Sequence, residues 1–135
     1  MNTTKQKLSI EYPLATTSAN IAWEQIGTVH GMRRWLADNI EELGDDVIAL
    51  TWGSIWTDQH TLEARITECQ KNDHIRLQWV NEDDPEAYWE MRIGRSELTG
   101  ELFLHVEDYA LAEDIADLHD LWDGNMERLH QVSGL

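Results

Sequence analysis

The chain has 135 residues, 41% of them hydrophobic, and sets 26 Asp and Glu against 10 Lys and Arg for a formal charge of −16. That length suits one domain spanning 1–135, and the apolar share excludes a disordered chain. The charge repels phosphate backbones, and no segment reaches the ~20 apolar residues of a membrane helix, so neither nucleic acid nor membrane insertion is expected.

The first segment, KLSIEYPL, alternates Leu8, Ile10, Tyr12 and Leu14 with Ser9, Glu11 and Pro13, the period-two pattern of a strand with one buried face. Pro13 cannot donate to a ladder, which puts this strand at an edge or ends it there. Ser18 is a helix N-cap, and Ile21, Ala22, Ile26 and Val29 follow at helical spacing. Gly27 and Gly31 break the pattern, so the spacing predicts two short helices, the second over about 28–36 with Met32, Trp35 and Leu36 on one face. The pattern then turns to strands: VIALTW, TLEARITEC, HIRLQWV, AYWEMRI and ELFLHVEDY, joined by short polar turns such as LTGE. Short links imply an antiparallel meander. The last segment carries Ile115, Leu118, Trp122, Met126, Leu129 and Val132 at spacings of three and four, an apolar stripe on a long helix that Gly134 stops. Gly124 interrupts that helix, either for close approach to the sheet or for a slight bend. The expected architecture is α+β: a curved antiparallel sheet of about six or seven strands around a C-terminal helix of about 25–30 Å, with two short helices after the first strand.

Chemistry-bearing residues are scattered. No histidine pair stands at a metal-ligand spacing, no nucleophile elbow or phosphate-cradling loop is present, and no cofactor is expected. His74 and His105 have the polar parity of their strands and are expected in solvent. His60 has the parity of Leu62 and Ala64, which aims it with Trp56 and Asp58 toward one end of the interior, as a polar cluster for a ligand or as a wet strand end. Glu68 and Asp108 share the inward parity of their strands. Inside a cavity either carboxyl would rise in pKa and become a general-acid candidate, although strand ends often break parity. No residue is assigned a catalytic role. The single Cys69 excludes an intramolecular disulfide and reads as a small buried hydrophobe. The N-terminal run MNTTKQKLSIEY lacks an apolar signal core, and with a single cysteine this makes the cytoplasm the expected compartment.

The stretches SIEYPLATTSANIAWEQI, GMRRWLAD, TWGSIWTDQHTLEARI and HIRLQWV, with the closing LHDLWDGNMERLHQVSG, resemble the START-like (SRPBCC, helix-grip) superfamily. The resemblance covers nearly the whole chain and lies nearest to small single-domain bacterial proteins, in a superfamily that includes the birch-pollen allergen group and activators of the heat-shock chaperone ATPase. It implies a central cavity whose mouth lies near the GMRRWLAD seam. Trp35 and Leu36 would anchor the short helices there, as a hydrophobic plug or as ligand contacts, while Arg33 and Arg34 reach solvent or acids. It also implies a hydrophobic or amphipathic small molecule held between sheet and helix, with Trp35, Leu36, Trp52, Trp56, Trp79, Trp89, Met91, Trp122 and Met126 as the candidate lining. Seven tryptophans, each able to bury roughly 150–250 Å², can line such a cavity or fill it solid. The alternative is a protein-interaction module resembling the chaperone-ATPase activators, recognising a protein partner through its acidic surface. An enzyme, as in the polyketide cyclases and dehydratases of the superfamily, is the third reading. Either a monomer or a homodimer fits the sequence.

Overall fold

The computed structural model describes residues 4–53 and 58–135. The chain runs through β1 (Gln6–Pro13), α1 (Ala19–Ile26), α2 (Val29–Met32), β2 (Asn39–Gly44), β3 (Val47–Trp52), β4 (His60–Gln70), β5 (His74–Trp79), β6 (Trp89–Arg95) and β7 (Leu102–Ala110), and ends in α3 (Ile115–Ser133) after one 3₁₀ turn. All seven strands form one curved antiparallel sheet in the order β1-β7-β6-β5-β4-β3-β2. Strands β2 to β7 are a simple meander. The first strand closes it by pairing with the last, and the two short helices carry the chain from one sheet edge to the other.

Alternation decides which side of the sheet is dry. Ile48 and Leu50, Ala64, Ile75 and Leu77, Trp89 and Met91, and Leu102, Leu104 and Val106 are all buried. They meet Trp122, Met126 and Leu129 of α3, so the C-terminal helix lies in the concave side as its stripe predicts. Ser18 Oγ accepts from Ile21 N–H at the start of α1, and Gly134, at φ 76°, ends α3 by donating to His130 O. The second helix is a single turn, shorter than its sequence pattern suggested. Gly31 seats that turn against α1: a Cβ there would lie 1.9 Å from Glu24 O.

Trp35 is fully buried at the seam between α2 and β2, its Nε1–H donating to Gln25 O at 2.8 Å. Its arginine neighbours do not seek acids. Arg33 donates to Ile40 O from Nε and Nη2, and Arg34 to Val132 O and Gln25 Oε1. Each guanidinium therefore satisfies backbone or side-chain oxygens where the chain turns from helix to strand.

Several local expectations are corrected. Gly124 lies on the exposed side of α3 with nothing within 4 Å of a Cβ built there, so close approach to the sheet is not its reason. Cys69 is exposed, because β4 runs past the cover of the core at that end. Glu68 faces outward: the β4–β5 ladder shifts register between Ile66 and Glu68, and this bulge reverses the alternation. His74 is buried rather than solvated, held on the convex side between Asp73 and Glu68.

Candidate functional site

One end of the concave side is lined by aromatic rings in series. His60 stacks on Trp52 at 5.2 Å between centroids, Trp52 lies 6.3 Å from Trp79, Trp79 stacks on Trp89 at 5.2 Å, and Trp89 lies 6.3 Å from Trp122. Inward parity in β3, β5 and β6 brings three of these rings together, and the stripe of α3 supplies the fourth indole.

His60, Trp52 and Trp79 border a half-open pocket, the chamber, of about 380 Å³, walled also by Leu62, Leu118 and Leu121 and by the polar Lys5, Glu82, Asp108 and Tyr109. A narrow cleft of about 50 Å³ continues inward between Trp89, Trp122, Leu36 and Asn125. Chamber and cleft share Trp52, Trp79, Asp108 and Leu121, so Asp108 stands where they join. Outside, a groove of about 720 Å³ shares Lys5, Leu62, Trp79 and Glu82 with the chamber and is bordered by Asp83, Asp84 and Glu86. Lys5 Nζ bridges to Glu82 at 2.6 Å, tying the segment before β1 to the β5–β6 loop beside the chamber.

Asp108 follows Leu102, Leu104 and Val106 in inward parity along β7, opposite Leu8 of β1. Its Oδ2 accepts from Trp122 Nε1–H and its Oδ1 from Tyr109 N–H, each at 2.8 Å. Burial pushes its pKa up to about 6, against the lowering effect of those two hydrogen bonds and of the Lys5 ammonium. Glu82 moves the other way. Burial opposes its ionisation, but the Lys5 hydrogen bond, the Asp84 and Asp83 amides and the Lys5 charge together hold it below the usual carboxylate range. Asp108 and Glu82 are not hydrogen-bonded to each other, so the two perturbed carboxyls do not form an acid–base pair.

The nine lining candidates separate by place. Trp52 and Trp79 wall both chamber and cleft, and Leu36, Trp89 and Trp122 wall the cleft. Trp35, Met91 and Met126 are packed in the core and border neither space. Trp56 lies outside the described residues. Leu62, Leu118, Leu121, Lys5 and Glu82 were not among the lining candidates. The inward parity of Leu62 was a usable signal, whereas nothing in the sequence marks the Lys5–Glu82 pairing.

The convex face gathers a second polar group. Glu68, His74 and Glu90 bring ligand atoms within 4.8 Å of one another. Arg76 and Arg92 already reach Glu90 at 3.0 and 3.3 Å, and Glu68 and Asp73 occupy the two ring nitrogens of His74. With two guanidiniums already on Glu90 and both ring nitrogens of His74 taken, the arrangement is a hydrogen-bonded charge network rather than a metal cradle. The Arg76 guanidinium also lies 3.9 Å from the Tyr88 ring centroid.

A family model for the START-like superfamily domain matches residues 2–135. No curated protein matches the chain. Among solved structures, BfR322 of Bacteroides fragilis is 32% identical, with 94% of this chain and 90% of that one covered and a TM-score of 0.61. MLL2253 of Mesorhizobium loti is 12% identical over 93% of this chain and 95% of that one, with a TM-score of 0.70. The Aha1 dimer of Colwellia psychrerythraea is 12% identical over 96% of each chain, with a TM-score of 0.65. No helix among the described residues is long and apolar enough to cross a membrane. With its family model matched along almost its whole length, and a seven-stranded sheet closed around its last helix, this chain belongs to the START-like superfamily.

Proposed function

We propose that the protein holds a hydrophobic or amphipathic small molecule in the tryptophan-walled chamber, with Trp52, Trp79, Leu62, Leu118 and Leu121 against its apolar body. The observation that carries this reading is the chamber itself: about 380 Å³ of space with five apolar side chains on its wall beside Lys5, His60, Glu82, Tyr109 and the desolvated Asp108 carboxyl. Ligand sites are concave, mostly apolar and furnished with a few fixed polar groups, typically from ~300 Å³ upward. Family membership supports the same reading. Trp35, Met91 and Met126 then act as packing that fixes the walls. On this reading it is a cytoplasmic binding protein: the two perturbed carboxyls of the chamber, Asp108 and Glu82, are not hydrogen-bonded to each other, and Glu82 is engaged by Lys5, which favours binding over acid–base chemistry.

Native mass spectrometry of protein purified from its own host tests this and reports subunit count in the same spectrum. The expected result is a bound organic molecule that is lost from Leu121→Arg, a substitution at a half-exposed residue of the chamber wall. Absence of any retained molecule, together with no uptake of small aromatic hydrocarbons at their solubility limit, would overturn it.

A second reading, recognition of a basic protein partner, is favoured by one observation: Glu82, Asp83, Asp84 and Glu86 line the outer groove of a chain with formal charge −16. Complexes of that kind weaken as salt rises, so an affinity indifferent to ionic strength would count against it.

A further inference from the structure

The chamber adjoins the outer groove, the two sharing Lys5, Leu62, Trp79 and Glu82, and the charges on their walls are one-sided. Glu82 and Asp108 stand on the chamber, and Asp83, Asp84 and Glu86 join Glu82 on the groove. Against these carboxyls Lys5 is the one lysine or arginine among the described lining residues. It is already committed: its Nζ donates to both oxygens of Glu82, at 2.6 and 2.7 Å. His60, the remaining basic side chain of the chamber, lies stacked on Trp52. Asp83 and Glu86 are exposed and stand outside every ion pair among the described residues.

An amphiphile with its body in the chamber must leave its head group where chamber and groove meet, and the sign of that head then decides affinity. An anionic head meets like charge there and finds no uncommitted lysine or arginine, so its lost hydration goes unreplaced. A cationic head finds only acceptors, because ionised carboxylates accept and never donate. Like charges lining a concave, poorly polarisable wall reinforce one another and concentrate the opposite ion. Glu82, held below the usual carboxylate range, keeps its share of that field at neutral pH. The Lys5 ammonium, seated on Glu82 at this junction, shows that the wall accommodates a primary ammonium.

Resting on the chamber as a ligand site, we infer that the ligand is a cationic amphiphile: its apolar body lies against Trp52, Trp79 and Leu62, and its ammonium head stands at the junction with the groove, in the field of the β5–β6 loop carboxylates. Anionic amphiphiles such as fatty acids are the class this site turns away. Attraction of this kind is screened by salt, whereas contact with the apolar walls is not.

The test uses three probes that share a phenylbutyl body and end in an ammonium, a hydroxyl or a carboxylate: 4-phenylbutylammonium, 4-phenyl-1-butanol and 5-phenylpentanoate. By calorimetry on the wild-type protein at about 20 mM salt, the ammonium should bind about tenfold or more tighter than the carboxylate, with the alcohol between them. At about 0.5 M salt that gap should shrink to about threefold or less. Asp83→Asn/Glu86→Gln should weaken the ammonium about threefold and leave the alcohol within about twofold. Glu41→Gln/Glu42→Gln removes as many charges from exposed positions of β2 that line neither chamber nor groove, and should leave the ammonium's advantage in place. Equal affinities for ammonium and carboxylate, or a tighter carboxylate, overturn the inference. So does an ammonium preference that the two double variants lower equally, since that is the net charge of the whole chain and not the rim of this site. The salt series uses the wild-type protein alone, so it decides the matter even where a variant does not fold. If none of the three probes binds, the chamber reading falls as well; if the alcohol binds and the ammonium gains nothing over the carboxylate, only the charge selection falls.

Discussion

The indole Nε1–H of Trp122 meets Asp108 Oδ2 at 2.8 Å, so a hydrogen bond that ties the middle of the C-terminal helix to the last strand ends on a desolvated carboxyl. The bond stabilises the charged form, and burial disfavours it by more. With the folded value raised from 3.8 to about 6, the native state holds this proton more tightly than the unfolded chain does. Its contribution to stability is therefore complete below about pH 4 and is lost as pH rises through about 6. Asp108→Asn abolishes that titration. Relative to wild type, the variant should gain stability between pH 4 and 7, by an amount on the order of 3 kcal/mol if the whole shift is realised. Urea unfolding of both proteins at several pH values in that window checks it, and a difference that stays flat with pH would refute it.

Gly124 sits mid-helix on the exposed face of α3 with open space around its Cβ position. Alanine there meets no clash and removes backbone freedom from the unfolded chain. Gly124→Ala should stabilise the protein by about 1 kcal/mol, seen as a higher urea midpoint with an unchanged slope. A loss of stability would mean that the helix needs its glycine for something other than packing.

Gly31 is the opposite case. Its missing Cβ leaves room for Glu24 O, a backbone atom that cannot swing aside, at 1.9 Å. Gly31→Ala must push α2 away from α1 and should cost about 1–3 kcal/mol or more. Thermal unfolding measures the loss, and near-ultraviolet circular dichroism of the Trp35 region should change with it.

On the convex face, Glu90 is 2% exposed and holds both Arg76 and Arg92, whereas the Glu68 carboxylate is half in solvent. Removing the buried partner leaves two guanidiniums without their shared anion. Glu90→Ala should destabilise by about 2–4 kcal/mol. Glu68→Ala should have a much smaller effect that fades with added salt, since its carboxyl, held below the usual range by the His74 hydrogen bond and then by Arg76, lies in solvent. Chemical denaturation of the pair ranks them, and equal losses would contradict this ordering.

The meander of β3 to β7, the helix stripe and the N-cap at Ser18 were legible because each is written locally, in periods of two or 3.6 and in turn residues, whereas β2 lacks clean alternation and the pairing of β1 with β7 joins the two ends of the chain. Asp108 was legible too: unbroken parity from Leu102 carries it inward. Glu68 was not, because a bulge between Ile66 and Glu68 leaves no mark in a pattern of side-chain polarity. His74 was missed for a different reason. Parity correctly put it on the convex side, but there Asp73 and Glu68 hold both ring nitrogens, and its strand neighbour Arg92 and nearby Glu90 help cover what alternation alone would leave wet. The chamber's position was hidden as well. Apolar residues that wall a space and those that fill one look alike in sequence, and only the packing separates Trp79 from Met91.

The run of rings from Trp52 through Trp79 and Trp89 to Trp122, each 5.2–6.3 Å from the next, has an optical consequence. Indoles this near share excitation, so a photon absorbed by one is emitted by the set. A quencher that touches Trp79 will dim the whole run, so its ultraviolet emission reports on the space that this ring borders.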